Sequence, residues 1–312
     1  MKNPILKIED LKVRYKVTKV GSDKFVNAVN GVSLSINEGE IYSIAGESGC
    51  GKSTLAKAIM RLVPYYEGKI FFDDKDIMSY SKDELKIYRQ NVQMIFQNPY
   101  SSLNPKMKIK DILLETLDIN TDLSKEEKYN RVVEIIEKVG LKESSLELYP
   151  HEFSGGQRQR IAIARALVLK PRLVIADEPV SALDASIQAQ IINLLNSLKK
   201  EFNLTIIFIS HDLSVIKYLS DKVTVMYLGE IMEQGVTKEI YESPAHPYTK
   251  ALLNAVPKFG KENSELLQGD LPLEFPLGCR FFSRCKHSNN ECELRCPEFV
   301  CLSETHKVRC NL

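Results

Sequence analysis

The 312-residue sequence has almost no excess charge of either sign: 42 lysines and arginines stand against 41 aspartates and glutamates, a formal net charge of +1. So close a balance supplies no electrostatic footprint for nucleic acid or an anionic membrane surface, although it excludes neither partner outright. Long apolar runs are missing as well. Spanning a bilayer takes roughly 18–20 apolar residues, and the best strings here, such as residues 204–209, have only the length of a strand. The opening Met-Lys-Asn-Pro-Ile-Leu-Lys turns charged quickly and lacks the apolar centre of a secretory leader. The expectation is a protein kept on the cytoplasmic side. No internal repeat or low-complexity tract is present. The 44% hydrophobic content suffices for one large domain, or a domain with an appendage.

Cysteine is unevenly spread. Six of the seven fall in the last 34 residues (Cys279, Cys285, Cys292, Cys296, Cys301 and Cys310), and Cys50 sits alone in a glycine-rich loop. A reducing compartment argues against structural disulfides, so clustered thiols point to metal. The spacing Cys279-x5-Cys285-x6-Cys292, with Cys310 far beyond, is unlike the close C-x2-C pairs of common zinc folds. Four thiolates suit zinc or an iron–sulfur cluster, and spacing alone does not choose.

Strand patterns cover residues 5–13, 33–36 and 41–45, followed by a helix over 54–62 stopped by Pro64 and a strand over 69–72. Residues 91–97 read as a strand that ends in a proline- and serine-rich loop, 98–105. From about 106 to 168 the period changes: Val132, Ile135, Ile136 and Val139 recur at helical spacing, which marks a helical insertion. Strands over 173–176, 205–209 and 222–227 then alternate with helices over 187–202 and 213–219. That alternation predicts a mostly parallel, buried α/β sheet with ligands at the carboxyl ends of its strands. Beyond residue 243, Pro, Gly and Cys become frequent. The expected division is 1–243, with a helical subdomain at about 98–168, and a tail over 244–312.

Gly46-Glu-Ser-Gly-Cys-Gly51-Lys52-Ser53 fits G-x-x-x-x-G-K-[ST] between a strand and a helix. Such glycines let successive N–H groups turn inward around phosphate oxygens, and the helix N-terminus adds partial positive charge. Gly46, Ser48, Gly49, Cys50, Gly51, Lys52, Ser53 and Thr54 are therefore candidate nucleotide contacts. Lys52 would reach the β- and γ-phosphates of ATP, and Ser53 would ligate Mg²⁺. A thiol such as Cys50 at a helix N-terminus tends towards a lowered pKa; the alternative is a small residue merely tolerated there.

The apolar run at 173–176 delivers Asp177 and Glu178 at its end. Asp177 suits the Mg²⁺ shell, and Glu178 suits the positioning and deprotonation of an attacking water. His211 and Gln97 also follow strands, and are expected on the same rim. The histidine could hydrogen-bond a γ-phosphate and the water together, and the amide could sense Mg²⁺ or water. Ser154-Gly155-Gly156-Gln157 opens a helix that carries Arg158, Arg160 and Arg165, a second anion-binding cap. One γ-phosphate needs only one cradle, so a second cap makes sense if it closes on the ATP of another molecule.

Taken in order, the loop 46–53, Gln97, Ser154-Gly-Gly-Gln157, Asp177-Glu178, Ser181-Ala-Leu-Asp184 and His211 resemble the ATP-binding cassette (ABC) ATPases over about residues 5–240. The resemblance implies an α/β, ABC-type P-loop nucleotide-binding domain with a helical subdomain. It also implies a head-to-tail dimer in which each ATP lies between one chain's phosphate loop and the partner's signature. Tyr15 would stack on adenine, though a strand tyrosine could as easily be core or surface, and Asp184 would contact the neighbouring subunit. Phe153 stands where leucine is usual in the family.

Residues 97–105, 177–190 and 243–252 resemble the oligopeptide/dipeptide importer ATPases, with 51–57 closer to the F-type than the D-type subunit. That implies peptide import powered by ATP hydrolysis, from the cytoplasmic face of the membrane. The implied partners are a second, D-type ATPase subunit, two membrane permeases and an extracytoplasmic solute-binding protein, with no nucleic acid. Nickel, metallophore and some oligosaccharide importers share this sequence type. A soluble ABC ATPase acting on nucleic acid is the rival from another class, against which stand the single cassette and the lack of a basic stripe. The tail resembles that of the same subfamily, as a small cysteine-rich C-terminal module. There four cysteines can hold a [4Fe–4S] cluster, which implies Cys279, Cys285, Cys292 and Cys310 as ligands, with Zn²⁺ the alternative and Cys296 and Cys301 outside the pattern.

Overall fold

A computed structural model describes residues 4–19, 22–256 and 276–311. The stretch 257–275 of the expected tail lies outside the described residues. The described strands are β1 (Leu6–Lys19), β2 (Ser22–Ile36), β3 (Ile41–Ala45), β4 (Glu67–Phe72), β5 (Lys75–Asp76), β6 (Val92–Ile95), β7 (Leu173–Asp177), β8 (Thr205–Ser210), β9 (Lys222–Tyr227), β10 (Glu230–Val236), β11 (Val300–Cys301) and β12 (Lys307–Val308). The chain divides into two compact units: residues 1–36, 41–76 and 210–312 in one, residues 37–40 and 77–209 in the other.

The first unit contains an antiparallel sheet in the order β2-β1-β4-β5. In β1, Leu6 and Ile8 are buried while Lys7 and Glu9 face out, the two-residue alternation of a half-buried strand. Leu11 and Val13 continue the buried face one residue out of phase, and the pairing with β2 shifts register between Ile8 and Leu11 to absorb it. Asp10 takes the strain of that bulge with a φ of 45°, and its N–H donates to Ser33 Oγ at 2.9 Å. The strand pair is much longer than the sequence pattern shows, because residues 14–16 and 25–26 are exposed and carry no buried alternation.

In the same unit β3 runs parallel to β9, from Tyr42 opposite Lys222 to Ala45 opposite Val225, and every β3 residue is buried. A two-residue turn, Leu228-Gly229, with φ values of 45° and 84°, returns the chain as β10 antiparallel to β9. β10 carries no apolar alternation, because two of its buried positions are Glu230 and Glu233. The sequence pattern gives no sign of it for that reason. β12 pairs with β10, and β11 with β12, so the C-terminal segment is hydrogen-bonded into this unit. The mostly parallel sheet expected from sequence therefore has antiparallel company.

The second unit holds three parallel strands, β6, β7 and β8, with Leu173 opposite both Val92 and Thr205. β7 and β8 are buried along their whole length, as fits strands covered on both faces. Helices Lys82–Asn91, Ile109–Asn120, Lys125–Lys138, Gly155–Leu167 and Ala185–Phe202 belong here. Helices thus fill much of the expected insertion. Capping boxes start three of the five, with Ser81 and Glu84, Ser124 and Glu127, and Ser154 and Gln157 exchanging bonds. The expected loop at 98–105 contains a short helix, Pro99–Ser102.

Candidate active site

In the first unit, β3 delivers Gly46 and the helix Lys52–Ile59 follows the loop. Gly46 has a φ of 145°, and a Cβ there would lie 2.2 Å from the Met226 carbonyl oxygen. Gly51, at a φ of 107°, would meet the Ala28 carbonyl oxygen at the same distance. Only glycine fits at either point. Gly51 is also the N-cap of the helix, and no side chain caps it among the described residues. The helix start lies at the positive end of the helix dipole, which favours an anion there. Lys52, 4% exposed, folds its Nζ onto the carbonyl oxygens of Gly46 and Glu47, both at 2.8 Å. A buried ammonium, a helix start and a backbone that admits no Cβ form a donor set suited to a triphosphate. Ser48, Gly49, Ser53 and Thr54 lie on the same loop and first helical turn.

At Cys50 the reading of a small residue accommodated in the loop holds over that of a lowered pKa. It is buried, and burial pushes its thiol pKa up, while the pull of Lys52 in the other direction is weaker. The thiol is a packed group and not an activated one. Tyr15 is 40% exposed on β1, beside Arg14, whose guanidinium lies 4.4 Å from the ring centres of both Phe25 and Tyr66. His211 is exposed, just past β8 in sequence, and its neighbour Asp212 caps the helix Leu213–Leu219.

The second unit carries the carboxylates. Asp177, the last residue of β7, is buried. Glu178 adopts a left-handed φ of 46°, with its N–H donating to the Ile209 carbonyl at 3.0 Å. A non-glycine residue held there stores strain, a feature that clusters at functional positions. Its Oε2 accepts from Gln97 Nε2 at 2.9 Å, so two residues 81 positions apart in sequence meet.

Ser154 caps the helix Gly155–Leu167: its Oγ accepts from the Gln157 N–H, and the Gln157 Oε1 accepts from the Ser154 N–H at 3.0 Å. Phe153 is buried just before it. Asp184 caps the helix Ala185–Phe202, accepting from Ser186 Oγ at 2.7 Å and the Ile187 N–H at 3.0 Å. These bonds, with Ser186 first, hold its carboxyl below the usual carboxylate range.

The tail belongs to the first unit. The Cys279 N–H donates to the Cys292 carbonyl at 2.7 Å. Burial, and then the nearby Cys292, Cys296 and Cys310, push the Cys279 thiol up to about 12. Burial also raises Cys285, which lies within electrostatic reach of Cys310 and Cys292. Cys296 is engaged elsewhere, donating to Glu230 Oε2 at 3.6 Å, and Cys301 is exposed. None of the seven cysteines is in a disulfide. Among the described residues no group of three or more His, Cys, Asp or Glu side chains is arranged to hold a metal ion. The expected ligand set Cys279, Cys285, Cys292 and Cys310 is thus gathered in one lobe without forming a coordination sphere. The motif gives no role to Glu47 within the loop, nor to Tyr248 and Arg284, which bond to it from distant positions with only ring type and charge as a signal.

Comparison with known proteins supplies the context. Residues 29–181 match the family described as ABC transporter, and residues 232–292 match the oligopeptide/dipeptide transporter C-terminal region. The chain is 47% identical to the oligopeptide transport ATP-binding protein AppF of Bacillus subtilis, over 99% of this chain and 97% of that one. It is 44% identical to the dipeptide transport ATP-binding protein DppF of Escherichia coli, covering 96% and 91% respectively. Among solved structures, the dimeric post-hydrolysis state of the ATP-binding cassette MJ0796 with ADP and Pi matches at a TM-score of 0.66 and 31% identity, over 74% of this chain and 98% of that one.

Proposed function

The chain belongs to the ABC transporter family, among the ATP-binding proteins of oligopeptide and dipeptide transport, and from that membership we propose that it hydrolyses ATP to power import of di- and oligopeptides. The observation that carries the chemistry is the loop Gly46–Ser53: a buried lysine and an uncapped helix start around glycines that tolerate no side chain. Lys52, with Gly46, Ser48, Gly49, Cys50, Gly51, Ser53 and Thr54, would hold the phosphates, and Tyr15 the adenine. Ser53, Gln97 and Asp177 would hold Mg²⁺, which when bound supplies charge against the developing phosphoryl oxygens.

Glu178 is the proposed general base. Gln97 Nε2 donates to its Oε2, which orients the carboxylate that would take the water proton. His211 would orient the same water and the γ-phosphate. Ser154, Gly155, Gly156 and Gln157 would close on the nucleotide of a second ATPase subunit. The catalytic module would span residues 1–243, its helical part about 98–168, and the tail 244–312. Among the described residues no helix is long and apolar enough to cross a membrane. Attachment at the cytoplasmic face would come through two permeases, served by an extracytoplasmic solute-binding protein.

Glu178→Gln in the assembled transporter is expected to keep MgATP binding and to lower turnover by about a hundredfold or more, as for loss of a general base; unchanged turnover refutes the role. For the tail, the reading is a [4Fe–4S] cluster on Cys279, Cys285, Cys292 and Cys310, with Zn²⁺ as the alternative. Its support is the electrostatic proximity of Cys279 and Cys285 to Cys292 and Cys310, with Cys296 near Cys279 but donating to Glu230, and Cys301 exposed. Iron, sulfide and zinc analysis of anaerobically purified chain tests it, and a chain free of all three rejects both.

A further inference from the structure

Glu47 brings a negative charge to a loop shaped for a polyanion, and the cysteine-rich tail answers it. Arg284, on the short turn Phe282–Arg284, grips the Glu47 carboxylate with both prongs: Nη1 donates to Oε2 at 2.7 Å and Nη2 to Oε1 at 3.1 Å. The arginine side chain is 5% exposed, and its Nη1 also donates to Tyr227 Oη at 3.3 Å. The main chain of Glu47 is held as firmly. Its N–H donates to Tyr248 Oη at 3.0 Å, and its carbonyl accepts from Lys52 Nζ at 2.8 Å. Tyr227, Tyr248 and Phe281 pack with ring centres 4.7–5.3 Å apart, a rigid backing for the guanidinium.

Two of the three grips on Glu47 therefore come from residues more than 200 positions away in sequence. A bidentate guanidinium–carboxylate pair is geometrically demanding as well as strong. Without Arg284 a partly buried carboxylate would face incoming phosphates across a poorly screened distance. We propose that Arg284 is a positioning residue for nucleotide binding: it neutralises Glu47 and pins the start of the phosphate loop, which makes the tail part of the ATP site. This rests on the nucleotide reading of the loop given above.

MgATP titration calorimetry on the full chain tests it with Arg284→Ala, Glu47→Gln and the double variant. Arg284→Ala is expected to weaken MgATP binding by about tenfold, the scale of one charge-assisted contact. Glu47→Gln alone loses the bidentate pair but leaves no charge to repel the phosphates, so it should lose less affinity than Arg284→Ala. The double variant should recover most of the loss, because the charge that needed neutralising is gone. The Arg284→Ala deficit should also shrink as salt rises, since repulsion between partly exposed charges is screened. A purely packing role would show neither the rescue nor the salt effect. Should Arg284→Ala not fold, Arg284→Gln keeps a donor of similar length and gives the same comparison. Wild-type affinity in the arginine variant, or a double variant weaker than the single, overturns the proposal. A wild-type chain that binds no MgATP overturns the nucleotide reading itself, and the two failures are thereby distinguished.

Discussion

The phosphate loop and the cysteine-rich tail share one compact unit but are built on opposite principles. The loop is made of backbone: positive-φ glycines, a helix start, and one lysine that folds onto neighbouring carbonyls. The tail is made of side chains anchored on two buried carboxylates of β10. Glu230 accepts from Asn30 Nδ2 at 2.7 Å, Arg280 Nε at 2.9 Å and Arg309 Nη1 at 3.2 Å. Glu233 accepts from the N–H groups of Ala245 and His246 and stands 2.7 Å from His306 Nε2. A backbone site depends on a few consecutive residues and so leaves a motif. A side-chain site draws on residues from across the chain, and its members carry no local mark.

The largest effect that would test this contrast is at Glu233, which is fully buried. Glu233→Ala orphans two main-chain donors and His306, and is expected to cost about 3–5 kcal/mol of stability by denaturant titration. A loss below about 1 kcal/mol would show that the tail does not depend on that carboxylate. Next in size is Gly46→Ala. The forced φ and the clash with Met226 are expected to cost about 1–3 kcal/mol and to abolish MgATP binding. Ordinary affinity in this variant would mean that the loop is not backbone-built.

The smallest, read over a single pH unit, is a pH effect on the tail side. His246 is buried, its Nδ1 accepts the Tyr248 N–H at 3.0 Å, and burial lowers its pKa from 6.5 to about 3, with Lys250 adding to the shift. The unfolded chain therefore takes up a proton that the folded chain refuses. The stability that neutral His246 provides is complete above about pH 6.5 and falls by about 1.4 kcal/mol per unit below it, towards pH 3. His246→Gln should flatten that part of the stability–pH profile; an unchanged slope assigns it to other groups.

Legibility followed the same division. Strands β3 and β9 and the helix Leu213–Leu219 were predicted to the residue, because apolar runs between turn residues state both length and burial. The glycine loop and the Asp177-Glu178 pair were legible for a similar reason: each occupies a short segment with a fixed order. β10 was not legible, since buried Glu230 and Glu233 disguise it as a polar stretch. Most of the β1–β2 pair beyond Val13 was not legible, since Arg14, Tyr15, Lys16, Phe25 and Val26 are exposed and show no buried alternation. Cys50 looked open to activation from its place at a helix start, and burial decided otherwise.

Sequence alone determined the parallel strands, the phosphate loop and the acidic strand end, because these are written in consecutive residues whose conformational and solvation preferences agree. Tertiary structure alone decided that Gln97 meets Glu178, that Cys296 turns to Glu230, and that Arg284 closes on Glu47. Each is a pairing of polar groups far apart in the chain, formed where burial makes an unpaired charge or donor too costly to leave alone.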